Sequence, residues 1–198
     1  MAEYHEIRAL YDADTITVYQ AYSNMIGKPA AKNNRFVEPF SYNRMTWIKP
    51  SFLWMMERSG WGQKAGQECV LAVRIRRDYF EKALAEAVLS SPQRGLYENA
   101  DQWSARIKES RIRVQWDPER DIRGNKLEYR SIQIGISRHL IREYNEEWIV
   151  GIEDISQLVA KILELKKDGR YDKAKRFLPT EKVYPVSVEI CRTLGMKL

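Results

Sequence analysis

The alternation of apolar and polar residues along the chain predicts five β-strands. In segment 15–22, β-branched and aromatic residues alternate with polar ones at a period of two. The predicted strands are 15–22, 69–76, 111–117, 129–137 and 148–152. Between the third and fourth strands, 118–126 contains Arg123-Gly124-Asn125, which is typical of a hairpin connection or a longer loop.

A helical period is clearest over 154–167, where apolar residues recur every three or four positions after Asp154, the expected cap. Shorter helices are predicted at 24–32, at 50–58 with Pro50 in the first turn, and at 78–89 with Asp78 as cap. Segment 93–109 has no clear pattern. Strands and helices do not alternate strictly. We therefore expect an α+β fold in which a mainly antiparallel, twisted central sheet contains all five strands and helices pack on it.

Composition limits the class of protein. The chain has 198 residues and 44% apolar content, which suits one globular domain spanning 1–198. No run of about 18 apolar residues occurs, so we expect no membrane span. The first residues, Met-Ala-Glu-Tyr-His-Glu, lack the basic start and apolar middle of a signal peptide, so we expect a cytoplasmic protein.

Charge and metal-ligand content narrow the candidate partners. The 33 basic and 27 acidic side chains give a net charge of +6, which makes an anionic partner such as a nucleotide or nucleic acid plausible. The two cysteines and two histidines stand at no ligand spacing, so no metal site is expected. These residues are Cys69, Cys191, His5 and His139.

The segment 44–61 is unusual because it holds three tryptophans together with several cations. Cations beside a helix N-terminus and aromatic planes suit a phosphate attached to a base. The substrate-binding candidates in this segment are Arg44, Thr46, Lys49 and Arg58. The alternative is an aromatic core helix with an exposed basic rim, and Phe52, Leu53 and Met56 are expected to face the core.

Polar residues inside the predicted strands are the second unusual feature. Gln20 and Tyr22 share a face with apolar neighbours, and a core-facing glutamine must be hydrogen-bonded or line a cavity. A row of polar residues in the later strands indicates either a solvated sheet face or a polar cleft. That row consists of Gln115, Asp117, Glu119 and Gln133.

The common nucleotide and hydrolase motifs are absent. There is no Walker A loop, dinucleotide-binding glycine pattern, Gly-x-Ser-x-Gly elbow or His-Glu-x-x-His. Lys166-Lys167-Asp168-Gly169 matches the short signature of nucleic-acid ligases, but it falls at a predicted helix end with only 29 residues after it. We interpret that match as coincidence and Lys167 as dispensable.

Several longer segments resemble the domain of unknown function 4291 family. The resemblance is carried by Ile7-Arg-Ala-Leu-Tyr, by 16–22, by 44–56 and by Gln115-Trp-Asp-Pro-Glu-Arg120, and it continues through 129–135 and 152–154. The family name implies no activity, so function must be argued from residues.

A looser pattern resembles the ADP-ribosyltransferase-like fold, whose members carry a polar or basic residue in an early strand, a Ser or Thr before a helix and a late acid. The counterparts here are Arg8 or Gln20, then Thr46, then Glu119. The resemblance implies NAD as a candidate cofactor. The pattern departs at Gln20, where Arg or His is expected, and at Glu119, which follows a proline.

Three functions remain open from the sequence. The first is an enzyme acting on a nucleotide or nucleic acid by ADP-ribosyl or phosphoryl transfer, in which Glu119 contacts ribose and the cations hold phosphates. The second is a non-enzymatic nucleotide- or nucleic-acid-binding module. The third is a hydrolase with Asp117 and Glu119 as acid and base. In the site we predict, Arg44, Thr46, Lys49 and Arg58 lie beside Gln20, in one cleft with Gln115, Asp117 or Glu119.

Overall fold

The computed structural model describes residues 4–197, which form nine strands and eight helices. The strands are β1 (Arg8–Ala9), β2 (Thr15–Tyr22), β3 (Thr46–Ile48), β4 (Cys69–Arg76), β5 (Val88–Leu89), β6 (Ile112–Arg120), β7 (Lys126–Ile136), β8 (Ile149–Asp154) and β9 (Lys182–Val183). The helices are α1 (Asn24–Asn33), α2 (Phe52–Ser59), α3 (Arg77–Ala85), α4 (Ala100–Glu109), α5 (Ile141–Glu143), α6 (Ser156–Lys167), α7 (Tyr171–Lys175) and α8 (Val188–Leu194), with a π-helical turn at Tyr144–Trp148.

The strands form two main sheets, so the expected single central sheet is wrong. One sheet has the order β2-β4-β8 and the other β3-β7-β6-β5, while β1 and β9 form a separate pair. All pairings are antiparallel except β5 with β6, and the fold is α+β as expected. The two sheets meet where the backbones of Tyr19 and Lys49 exchange hydrogen bonds of 2.7 and 3.2 Å.

The period of two in the strands builds the core. The inward residues of β2 and β4 pack against those of β6 and β7, and Ile16, Val18, Val114 and Ile134 are all fully buried. A second apolar cluster forms on the other side of β2 and β4, where α2 and α6 cover the sheet. Burial of both faces explains why β4 is apolar from Cys69 to Val73, whereas Arg74 and Arg76 are exposed.

Three predicted helix starts are corrected by the structure. Helix α2 begins after Ser51, whose hydroxyl accepts from the Trp54 amide, so Pro50 precedes the cap. Asp78 does not cap α3; it pairs with the Arg76 guanidinium at 2.6 Å. Asp154 ends β8, and α6 begins two residues later.

Other predicted boundaries also shift. The predicted helix 78–89 ends at Ala85, because 88–89 leave it to pair with β6. The pattern-free segment 93–109 contains α4. Strands β6 and β7 extend into the predicted connection and leave only 121–125 as the turn. In the part of the chain that the structure describes, no helix has the length and apolar character needed to cross a membrane.

Candidate functional site

A cleft of about 770 Å³ lies beside the edge strand β3, where the two sheets meet. Strands β2, β3, β6 and β7, helix α2 and the loops before and after it contribute its walls. Most of the sequence-predicted site residues line it. These are Gln20, Tyr22, Arg44, Thr46, Lys49, Arg58, Gln115, Asp117 and Gln133.

Lys49 is the most unusual residue in the cleft. Its backbone is fixed at the junction of the two sheets, and the residue is only 5% exposed. Among the residues that the structure describes, no hydrogen bond or ion pair of the ammonium is found, and Nζ is not one of the fully buried unpaired atoms, so it keeps access to the cleft. The charges that act on it belong to Arg58 and Asp117, both cleft residues. A buried cation without a partner is costly unless a ligand neutralises it.

The pKa of Lys49 reflects this environment. Burial disfavours the charged form and the nearby Arg58 guanidinium adds repulsion, so the pKa falls from 10.5 to about 8, although Asp117 opposes the shift. Near neutral pH the side chain is still mostly protonated. It is therefore a cation near neutral pH that releases its proton within an ordinary pH range.

Asp117 is the carboxylate of the cleft, and two glutamines hold it. Gln115 donates its amide to Oδ1 at 2.8 Å, and Gln133 donates to Oδ2 at 2.7 Å. Gln115 and Gln133 are themselves cross-strand partners in β6 and β7. The two amide donors fix the orientation of the carboxylate while leaving it further lone pairs for a ligand hydroxyl.

A second polar network surrounds Gln20, which is 2% exposed. Its Nε2 donates to the hydroxyls of Tyr22 and Thr46, both at 2.8 Å, and its Oε1 accepts from Tyr144 at 2.7 Å. The Tyr22 and Thr46 hydroxyls lie 2.6 Å apart. The sequence requirement that Gln20 be hydrogen-bonded or line a cavity is met in both ways. Burial raises the pKa of Tyr22 to about 12, so its hydroxyl stays protonated.

The mouth and the apolar wall complete the cleft. Arg44 and Arg58 are exposed at its rim, and Arg58 lies in the last turn of α2. The Trp47 ring lies across Gly135, where a Cβ would come within 3.0 Å of it. Trp54 also lines the cleft, and its buried indole Nε1 has no hydrogen-bond partner among the described residues.

Sequence reasoning missed three participants. Trp47 and Trp54 stood in the tryptophan-rich segment but were not assigned to the site, although the density of tryptophans and cations was a usable signal. The sequence pattern did not identify Tyr144, because this residue lies in a π-helical turn, which has no recognisable hydrophobic period.

Glu119 and Arg8, by contrast, lie outside the cleft. A register shift between Pro118 and Arg120 interrupts the strand, and Ser51, just before α2, hydrogen-bonds the Glu119 carboxylate. Glu119 is consequently 4% exposed, and burial raises its pKa. Arg8 pairs with Glu6. The expected role of Glu119 at the ribose is therefore not supported by its position.

The N-terminus of α2 is not free for a phosphate either. Glu181 accepts from the Phe52 amide at 2.7 Å, and Ser51 accepts from the Trp54 amide at 3.2 Å. Burial raises the pKa of Glu181 to about 8, and the nearby Glu119 contributes to the shift. Two of the first amides of α2 are thus already bound within the protein, so this arrangement does not support the expected contribution of the helix N-terminus to ligand binding.

Metal ligands do not cluster in residues 4–197, where no group of three or more His, Cys, Asp or Glu side chains is placed to hold an ion. The cationic side chains among the described residues that line the cleft are Arg44, Lys49 and Arg58.

Comparison of the sequence with models of known protein families identifies the family of this chain. The model of the domain of unknown function family DUF4291 matches residues 6–184. The chain belongs to this family. Its matched region contains every residue of the cleft named above. No curated protein matches the chain significantly.

Proposed function

We propose that this member of the DUF4291 family is an enzyme that binds the phosphate of a nucleotide, free or within a nucleic acid, in the cleft. The observation that supports the proposal is Lys49, a largely buried lysine that lines an open cleft and whose charged form is disfavoured by burial and by the nearby Arg58. A phosphate oxygen satisfies such a group with a short, charge-assisted hydrogen bond. Arg44 and Arg58 stand at the mouth, where they add two further contacts to an extended phosphate chain.

The rest of the cleft suits the sugar and base of the same ligand. The Trp47 ring and the Gln20–Tyr22–Thr46 network offer a flat apolar surface beside fixed hydroxyls. Asp117 is the one carboxylate among the described lining residues. It takes the place expected of Glu119: it contacts a ribose hydroxyl or accepts a proton from the attacking group. The reaction that we propose for this site is ADP-ribosyl transfer from NAD or phosphoryl transfer.

The binding test uses a panel of NAD, ATP and AMP, first by thermal shift and then by calorimetry. Lys49→Met should weaken binding of the best ligand by about 1.5–3 kcal/mol, the value of a hydrogen bond to a charged group. Lys167→Met is the matched control, because Lys167 is an exposed lysine outside the cleft. No binding of any of these ligands, or equal binding by Lys49→Met, would refute the proposal.

The catalytic test separates the enzyme from a binding module. Asp117→Asn should keep nucleotide binding and abolish nicotinamide release from NAD, or phosphate release if the reaction is phosphoryl transfer. Glu119→Gln is its control, since Glu119 lies outside the cleft. Binding without turnover in wild type would favour the non-enzymatic module.

A further inference from the structure

A second pocket of about 640 Å³ adjoins the cleft, and Gln115 lines both. The amide of Gln115 contacts Asp117 in the cleft. Its strand, β6, pairs with β5 at Arg113 and Val114, and that pairing ends before Gln115. The two pockets thus meet at Gln115 of β6.

Charge distinguishes these two pockets from the pocket beside α6. Among the described residues that line the second pocket there are three cations, Arg94, Arg130 and Lys197, and no carboxylate. The pocket beside α6, by comparison, is lined by one cation and one carboxylate, Arg74 and Glu153. The excess positive charge in the adjoining pockets indicates a ligand with several anionic groups in series.

The second pocket also carries an aromatic surface. Tyr4 is 58% exposed, and its ring is held by Arg130, whose Nε donates to the Tyr4 hydroxyl at 2.6 Å. The same guanidinium donates to the Trp116 carbonyl at 3.0 Å, and the His5 ring stacks on Trp116 with 4.6 Å between centroids. An exposed ring beside cations is the arrangement on which bases of single-stranded nucleic acid stack.

We infer that the cleft and the second pocket are consecutive subsites for a single strand of nucleic acid. One nucleotide enters the cleft with its phosphate at Lys49, and the neighbouring nucleotide crosses the β6 edge and stacks at Tyr4 with its phosphate at Arg94 or Arg130. A single strand is required, because the backbone of a duplex is too bulky to bring a phosphate into the cleft at a residue as buried as Lys49. This inference rests on the proposed nucleotide site in the cleft.

The test compares a fluorescein-labelled single-stranded ten-nucleotide probe, as RNA and as DNA, with AMP. Arg94→Gln should weaken binding of the oligonucleotide about fivefold or more and lower the slope of log Kd against log salt by about 0.7, as expected for one lost phosphate contact. Binding of AMP should not change. Arg176→Gln is the matched control, because Arg176 is exposed and lines neither pocket.

Three results would overturn the inference. If AMP binds and depends on Lys49 but Arg94→Gln leaves the oligonucleotide affinity unchanged, the nucleotide site stands and the second subsite falls. Equal competition by polyglutamate would show attraction to any polyanion. Absence of binding by both AMP and the oligonucleotide would refute the site and the subsite together.

Discussion

Replacing Lys49 with methionine is expected to stabilise the unliganded protein and to weaken binding of the ligand. A pKa of about 8 instead of 10.5 means that folding a chain with Lys49 protonated costs about 3 kcal/mol relative to an exposed lysine. Methionine has an unbranched apolar stem of similar length, so it fills the same space without the charge. For a domain of this size, 3 kcal/mol corresponds to a rise in Tm of roughly 6–12 °C.

The stability difference between Lys49→Met and wild type should depend on pH. Below pH 8, Lys49 is protonated in both the folded and the unfolded chain, and the full cost is present. Between pH 8 and 10.5 the folded protein releases the proton while the unfolded chain retains it, so wild-type stability rises relative to the variant. The advantage of Lys49→Met should therefore be large at pH 7 and nearly gone at pH 10.

Urea denaturation of wild type, Lys49→Met and the exposed control Lys167→Met at both pH values measures this difference. Comparison within one pH removes the titration of other groups, and Arg58 and Asp117, the charges that act on Lys49, are present in all three proteins. Destabilisation by Lys49→Met at pH 7, or the same gain at pH 7 and pH 10, would refute the reasoning.

Three further changes test other parts of the structure. Gln20→Leu leaves the buried Tyr144 hydroxyl without its acceptor and should cost about 2 kcal/mol in urea denaturation; a loss below 0.5 kcal/mol would contradict the network. Gly27→Ala places a Cβ near Cys69 Sγ and should cost about 1–3 kcal/mol, and Cys69→Ala in the same chain should recover part of it, so strictly additive effects would speak against that contact. Lys167→Ala should change stability and nucleotide binding by less than about 0.5 kcal/mol; loss of activity in a folded Lys167→Ala protein would restore the ligase interpretation.

Local pattern was sufficient for the strands but not for their arrangement. The alternation in 15–22 predicted the strand and the inward face of Gln20, because both follow from a period of two. Division into two sheets depends on β3, whose three residues carry too little pattern to be recognised. The junction at Tyr19 and Lys49 is a long-range pairing that no local window contains.

The candidate site shows the same limit. Residue types and alternation placed Gln115 and Asp117 on a polar strand face, and the structure has both in the cleft. The same alternation extended the face to Glu119, where the register shift and the packing of α2 intervene. The burial of Lys49 could not be foreseen either, since it is produced by the meeting of two sheets and a helix.

We propose that the Lys49 ammonium binds a phosphate of the ligand. The pKa of Lys49, measured with and without ligand, tests this most directly. In protein labelled with ¹³C and ¹⁵N lysine, the Lys49 signal is assigned by its loss in Lys49→Met, and its pKa is followed by NMR with and without saturating nucleotide. The account predicts a midpoint near pH 8 in the free protein and a clear rise on binding, because a phosphate favours the charged form. A midpoint near 10.5 in the free protein, or one that nucleotide leaves unchanged, would contradict it.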